Sequence, residues 1–478
     1  MRYYDLCVTK SQIIQKVTNL STFVPPIPIT MRFNLTKEFL EQVHIAIQSN
    51  DFEWIDKNVL ELHFVDIAEI LDELPNVDAK AIYFRMDEET QADVLMELEE
   101  EVRDRFLKSL SKKEIAEQLE NLDSDDAADI LYEYDDTEIQ EVISHMEDDD
   151  AADDIVDLLN YDEDTAGGLM QKEFLHAEID WTVEQCLAEI REQAKEVDKV
   201  YTIYVVDNLN KLVGVLSLKA LFFSEPGFKI RDLYQSKNII SVKVTDDQDE
   251  VMRLFDKYGL VSIPVLDYQN KLVGRITIDD VVDIIREEAD RDFQLATGIS
   301  EKVEDNASIF RITKARLPWL IIGMLGGTLG AKVISSFEGS ISHVPALAFF
   351  IPMITAMGGN VGVQSSAIVV QSLAKGNQFK SIFAKLGKEV LVGLFNGLIC
   401  SSLIFGIASI FGTIDLGIVV SASLFVVIVF AAVMGTLIPL ILDKYDIDPA
   451  LATGPFITTL NDVLGLFIYF SIGMLMYA

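Results

Sequence analysis

Five long apolar stretches crowd the last third of this 478-residue chain, and nearly all of its acid lies ahead of them. They run approximately over 317–337, 345–374, 386–412, 416–442 and 450–477. Each is long enough to cross a hydrocarbon layer about 30 Å thick, which takes roughly twenty helical residues. Of 77 acidic and 39 basic residues, 7 and 6 fall from Leu317 onward, which leaves 70 and 33 before it. One core cannot hold both halves. The pattern predicts a helical membrane domain of five spans behind a solvated region of net charge −37. A field of that sign repels nucleic acid and attracts cations, although solubility alone also accounts for it.

Cys7, Cys186 and Cys400 are far apart, which argues against both a disulfide framework and a zinc site. The N-terminus has no signal-peptide pattern. Residues 1–30 are irregular and end in Val-Pro-Pro-Ile-Pro-Ile-Thr, so they read as a flexible extension. A cleaner helical pattern opens at Met31, which leaves Met1 and Met31 as alternative starts.

Basic residues set the orientation. Arg311, Lys314 and Arg316 precede the first span, and Lys375, Lys380, Lys385 and Lys388 separate the second from the third. The loops near Ser340 and Thr413 carry neither Lys nor Arg. The expected protein is multi-pass in the plasma or inner membrane. Its N-terminal region is then cytoplasmic and its C-terminus outside.

Asp462 falls about 12 residues into the last apolar stretch, or about 18 Å along a helix. An ionised carboxylate there is costly unless it faces water, a partner or an ion. Pro455, Thr458, Asp462, Gly465 and Tyr469 recur at helical spacing on one stripe, as a close-packed pore wall would. A protonated structural Asp is the competing reading. The second stretch contains Met357-Gly358-Gly359-Asn360-Val361-Gly362-Val363-Gln364-Ser365-Ser366. Its glycines permit close approach or a broken helix, and Pro352 adds to that. Asn360, Gln364 and Ser365 offer uncharged oxygens; helix packing explains the same residues equally well.

In the soluble part, Asn210-Lys211-Leu212-Val213-Gly214 recurs as Asn270-Lys271-Leu272-Val273-Gly274. Each copy has a strand, a turn, a second strand and a preceding amphipathic helix, which predicts two packed α/β modules. These resemble a pair of CBS domains, most clearly in Gly259 to Pro264 and Thr277-x-x-Asp280. The resemblance implies a nucleotide site at Ser262, Pro264, Thr277 and Asp280, with Asp280 on a ribose. The first copy departs from the motif, with Ala220 in the matching place. Upstream, Phe39 to about Asn160 reads as a superhelix of short helices, with Ile67, Ile70, Leu71 and Leu74 as one apolar run. The near-repeats Asp125-Asp126-Ala127-Ala128-Asp129 and Asp149-Asp150-Ala151-Ala152-Asp153 set like charges on one helix face. A divalent ion would relieve them, as would plain solvation. Asp280, Asp283 and Glu287 share a face of the helix leading to the membrane, and Glu288 and Asp292 an adjacent one.

Taken together, these features resemble the MgtE family of magnesium transporters. The resemblance rests on the element order, on Asp164-Thr-Ala-Gly-Gly-Leu-Met170, on Gly358-Gly359-Asn360 with Gln364-Ser365, and on Asp448-Pro449-Ala450-Leu451 with Asp462-Val463-x-Gly465-Leu466. It implies a multidomain fold: an all-α N domain over 31–163, tandem CBS domains over 164–284, a connecting plug helix over 285–316 and a membrane domain over 317–478. It implies a homodimer in membrane lipid that imports Mg2+ and is not an enzyme, with Asp462, Asn360 and Thr458 in the pore. Regulatory Mg2+ would bind Asp126, Asp129, Asp247, Asp249, Asp280, Asp283, Glu288, Asp292 and Asp448, and ATP would act as a modulator. Where the family often has an acid in the plug, this chain has Arg291. The alternatives are a carrier of Co2+, Mn2+ or Ni2+, and a membrane-bound nucleotide sensor working through the CBS pair. Softer metals favour His or Cys, and the membrane half has only His343 and Cys400.

Overall fold

The computed structural model describes residues 33–478 except 196, 198, 301, 302, 304–307, 375–381, 446 and 478. The expected extension over 1–30, and Lys375 and Lys380, lie outside the described residues. The chain divides into two compact units, one of 1–122 with 130–153 and the other of 123–129 with 154–478.

The first unit is built from short helices: α1 (Lys37–Ser49), α2 (Phe52–Asn58), α3 (Phe64–Asp72), α4 (Asn76–Tyr83), α5 (Glu88–Glu97), α6 (Glu100–Leu107), α7 (Lys112–Leu119), α8 (Ser124–Tyr132) and α9 (Asp136–Ile143). α8 begins in the second unit. Helix packs on the helix two places along, α3 on α5, α4 on α6, α5 on α7 and α7 on α9, which is how a superhelical stack propagates. Ile67, Ile70 and Leu71 of α3 are buried, as their spacing predicted, and so are Tyr83, Leu95 and Phe106. Several acids here serve as helix caps. Asp51, Asp87 and Asp135 accept backbone N–H groups of the first turn at 3.0–3.2 Å, and Ser111 with Glu114 forms a capping box. Part of the negative charge is therefore structural.

One acid pair in this unit makes it sensitive to pH. Burial and the neighbouring Asp104 push the Glu133 carboxyl up to about 7. The folded unit then holds a proton that the unfolded chain releases near the ordinary value of 4.5. This contribution to stability is present below that value and is lost as pH rises through about 7. Glu133→Gln is expected to raise the unfolding temperature at pH 8 and leave it nearly unchanged at pH 5, measured by differential scanning fluorimetry.

The second unit continues with α10 (Asp149–Leu158, from Asp154) and two three-stranded sheets. The first has β1 (His176–Glu178), β2 (Ile203–Val206) and β3 (Leu212–Leu216), with α11 (Val183–Gln193) and α12 (Leu218–Phe222). The second has β4 (Val242–Lys243), β5 (Ser262–Leu266) and β6 (Leu272–Thr277), with α13 (Gln248–Tyr258). Order and sense match: the first two strands are parallel and the last two antiparallel. The sequence repeat is the hairpin turn between the last two strands. Asn210 and Asn270 both take left-handed φ, 58° and 62°, and Asp207 and Asp267 accept N–H groups of their own turns. The two turns also meet, with Leu212 N–H donating to Asn270 O and Leu272 N–H to Asn210 O.

β6 runs directly into α14 (Ile278–Thr297). The connecting segment expected as one helix over 285–316 is interrupted. α14 ends at Gly298, whose φ of 87° is left-handed, and α15 (Ile309–Ser336) begins beyond it. Further helices follow: α16 (Glu338–His343), α17 (Ile351–Ala374), α18 (Ile382–Phe411), α19 (Ile414–Lys444) and α20 (Gly454–Tyr477). Among the described residues, five helical segments, 309–336, 345–373, 384–410, 414–444 and 454–477, are long and apolar enough to cross a membrane. α19 is the most enclosed and packs on α17, α18 and α20. Leu320, Met324 and Leu329 of α15 and Leu391, Phe395 and Leu403 of α18 are exposed, as side chains facing lipid would be. The break anticipated in the second span does not occur. A 3-10 turn at Pro345–Phe350 precedes an uninterrupted α17. Pro352 lies in its first turn, where a missing N–H costs no intrahelical bond.

Candidate functional site

Asp462 lies eight residues past Gly454 on α20, about 12 Å along the axis. That is about 5 Å short of the middle of this 24-residue helix, which starts at Gly454 because residues 449–452 form a separate 3-10 turn. α20 leans on the glycines of α17. A Cβ on Gly359 would stand 3.0 Å from Thr458 Cγ2 and 3.6 Å from Asp462 Oδ1, and one on Gly362 would strike the Asn461 side chain. The glycines thus act by letting two helices approach closely, within an intact helix. Asp462 and Thr458 are half-buried, and Asn360 and Gln364 lie on the exposed side of α17. Thr458 Oγ1 donates to Gly454 O at 2.9 Å, which leaves its lone pairs to accept. Asp462 has no hydrogen-bond or ion-pair partner among the described residues. Asp462 and Thr458 of α20, with Asn360 and Gln364 of the adjoining α17, supply one carboxylate, one hydroxyl and two carboxamides, donor types that suit a hydrated cation.

Buried polar residues of the spans that the sequence pattern does not single out include Asn461 and Glu389. Asn461 is 1% exposed and neither side-chain polar atom has a partner among the described residues. Its signal was present, a second polar residue in an apolar run, but it lies about 100° off the Asp462 stripe. Glu389 of α18 is buried and accepts a hydrogen bond from Ser365 Oγ at 3.4 Å.

The cytoplasmic candidates fall into two groups, both in the second unit. In the first, Asp280 at the start of α14 accepts from Thr277 N at 3.2 Å and Thr277 Oγ1 at 2.7 Å. Burial and Asp279 push its carboxyl up. Facing it is Asp125, which is 6% exposed, and one of its oxygens has no partner among the described residues. Burial first, then Asp280, Asp126, Asp123 and Glu173, drive the Asp125 carboxyl well above the usual range. Asp126 therefore has a more deeply buried neighbour that the sequence reading did not choose. Glu173, held by Ser124 at 2.9 and 3.2 Å, was also missed.

The second group surrounds a cavity of about 550 Å³ along α14, with Asp129, Glu163, Asp164, Glu287, Glu288, Arg291 and Asp448 in its wall. Asp292 stands close enough to Asp448 and Asp249 for their charges to push its carboxyl up, after burial. Asp283 is raised by burial and by Glu287. Asp247 caps α13 through Asp249 N at 2.9 Å. Among the described residues no three acidic, His or Cys side chains converge into a ready metal cage. Carboxylates that repel without converging suit a hydrated Mg2+, which gives up water reluctantly.

The nucleotide candidates meet at one corner of the second sheet. Ser262 pairs with Thr277 and Pro264 with Arg275 across β5 and β6, and Asp280 follows a turn later. The Ser262 hydroxyl is 2.6 Å from Tyr204 OH. The buried Arg275 donates to Gln171 Oε1 and Lys199 O.

The end of α14 seats on the start of α20. A Cβ at Gly298 would lie 2.6 Å from Pro455 Cγ, and one at Gly454 would lie 2.2 Å from Ala296 O. Gly454 also takes a left-handed φ of 50°. Ser300 ties the segment after α14 to Ala315 O of α15 through its N–H and its hydroxyl.

Comparison with known proteins covers nearly all of these elements. Residues 351–472 match a family model described as a divalent cation transporter, 62–164 an MgtE intracellular N domain, and 166–225 and 230–287 CBS domains. The magnesium transporter MgtE of Bacillus subtilis (strain 168) is 35% identical over 421 residues, 85% of this chain and 93% of that protein. That of Thermus thermophilus is 33% identical over 439 residues, 90% and 97% respectively. A crystal structure of the cytosolic domain of the Mg2+ channel MgtE in complex with ATP is 32% identical, with a TM-score of 0.48, covering 51% of this chain and 99% of that one.

Proposed function

The chain belongs to the MgtE family of magnesium transporters, and from that premise we propose a Mg2+-selective channel closed by Mg2+ on its acidic cytoplasmic domains. The reading rests above all on Asp462, a half-buried carboxylate within an apolar helix that has no basic partner among the described residues. Two copies of the chain would set Asp462, Thr458 and Asn360 around a shared axis. A hydrated ion passes such a ring because one carboxylate per chain attracts it without stripping its water. No pump chemistry is required, since a divalent ion gains about 4.6 kcal/mol per 100 mV on entering a negative interior. The N-terminal region is cytosolic, and the C-terminus is outside on the charge asymmetry of the loops. Sequence and donor set favour Mg2+ over Co2+, Mn2+ or Ni2+, since carboxylate, hydroxyl and amide are hard ligands.

Closure follows from the two acid groups. Without metal, Asp125 against Asp280, and the carboxylates along α14, repel one another in this arrangement. Cytosolic Mg2+ removes the repulsion, so it favours the arrangement that seats α14 on α20. In this reading Asp126, Asp129, Asp280, Asp283, Glu288, Asp292 and Asp448 act with Asp125, while Asp247 and Asp249 hold the adjoining turn. ATP would bind at Ser262, Pro264, Thr277 and Asp280. It would compete with Thr277 for the Asp280 carboxylate and so couple nucleotide to Mg2+.

The seat itself is testable. Alanine at Gly454 requires a left-handed backbone and meets a carbonyl. Gly454→Ala is expected to raise the cytosolic Mg2+ needed for half-closure roughly tenfold in patch recordings, with the open-channel current kept. Unchanged closure would remove the α14–α20 contact from the mechanism.

A further inference from the structure

The cavity along α14 has six carboxylates in its wall and, among the described residues that line it, a single base, Arg291. Arg291 Nη1 lies 3.3 Å from Glu288 Oε1, one turn back on the same helix. Its charge opposes the rise that burial imposes on the carboxyls of both Glu288 and Asp292. A guanidinium keeps its proton throughout the physiological range and carries five donors, so it is a permanent monovalent cation on a flexible stem. An exposed ion pair contributes little in isolation. Here the pair stands in a wall that also carries Asp129, Glu163, Asp164, Glu287 and Asp448, and every acid there gains from one nearby positive charge.

We propose that Arg291 is a tethered cation that meets part of the cavity's demand for Mg2+, and thereby sets how many ions closure requires. The inference rests on reading the cavity as the Mg2+ sensor. Arginine adds one positive charge where a glutamate would add one negative. The exchange therefore changes the local charge by two units, the charge of one divalent ion. A chain with Arg291 closes with fewer ions and with a shallower dependence on Mg2+ than a chain without it.

The test uses the full-length chain, with Mn2+ as a countable probe and Mg2+ currents as the functional one. Arg291 is 60% exposed, so its variants keep the surrounding packing. Arg291→Glu is expected to bind about one more Mn2+ per chain at saturation and to close more steeply with cytosolic Mg2+. Arg291→Gln falls between, and Arg291→Lys, which keeps the charge, follows the wild type. Equal Mn2+ counts and equal steepness in Arg291→Glu and the wild type would overturn the inference, as would a Lys variant that behaves like Gln. If wild-type current ignores cytosolic Mg2+, the sensor reading falls and takes this inference with it. Wild-type closure with superimposable variants removes this inference alone.

Discussion

Asp462→Asn is expected to carry less than about a hundredth of the wild-type Mg2+ current while the chain still inserts and assembles. The substitution keeps the shape and removes the charge. At an effective dielectric constant of about 20, a carboxylate and a divalent ion about 5 Å apart attract by roughly 7 kcal/mol. Water around the ion screens much of this, and keeping about 3 kcal/mol still corresponds to a hundredfold. Asp462→Glu restores the charge on a side chain one methylene longer beside the close approach to Gly359, where an added Cβ would stand 3.6 Å from Asp462 Oδ1, so partial current is the expected result. Isotope uptake into proteoliposomes, with size-exclusion profiles as the control for assembly, reads both. Normal uptake by Asp462→Asn would remove Asp462 from the ion path.

The second large effect concerns the sensor. Asp125→Asn combined with Asp280→Asn is expected to leave the channel open at cytosolic Mg2+ that closes the wild type, with half-closure shifted upward at least about tenfold. Shifting a two-state channel from mostly open to mostly closed takes about 5.5 kcal/mol of differential binding. Removing one of two ion-dependent contacts withdraws a large share of that. Asp125 is the informative member because its carboxyl is buried among Asp280, Asp126, Asp123 and Glu173. Asp126→Asn alone is expected to act more weakly. Patch recordings at stepped cytosolic Mg2+ decide the order of the two.

What could be read before the structure depended on how local each signal was. The five spans, the paired modules and the short helices write themselves in periodicity and composition. The Asn-Lys-Leu-Val-Gly repeat was visible because one turn, with Asn in the left-handed region, is built twice. Asp462 was legible because a carboxylate inside an apolar run is costly and so stands out, whether it serves an ion or sits protonated as a structural residue. Which acid of Asp125 and Asp126 is buried was not legible, since both lie in the same first turn and only the packing of α8 against Asp280 and Glu173 separates them. Glu163, Asp164 and Glu287 join Asp129 and Asp448 through contacts that span up to 319 positions of the chain. No local pattern encodes that. Asn461 was hidden by its neighbour, because attention to one helical stripe passes over the residue beside it. The end of α14 at Gly298 was missed for a different reason. A single left-handed glycine inside a run of helix formers carries a weak signal until the contact with Pro455 is seen.

The central claim is that one ion both crosses at Asp462 and closes the path from the cytoplasmic side. Current through the full-length chain in planar bilayers, recorded while only cytosolic Mg2+ is raised from micromolar to tens of millimolar, addresses it directly. A Mg2+ current that is present at low cytosolic Mg2+ and falls cooperatively toward zero as the concentration rises is the expected result. A current that stays constant over that range, or none under any condition, would contradict the account.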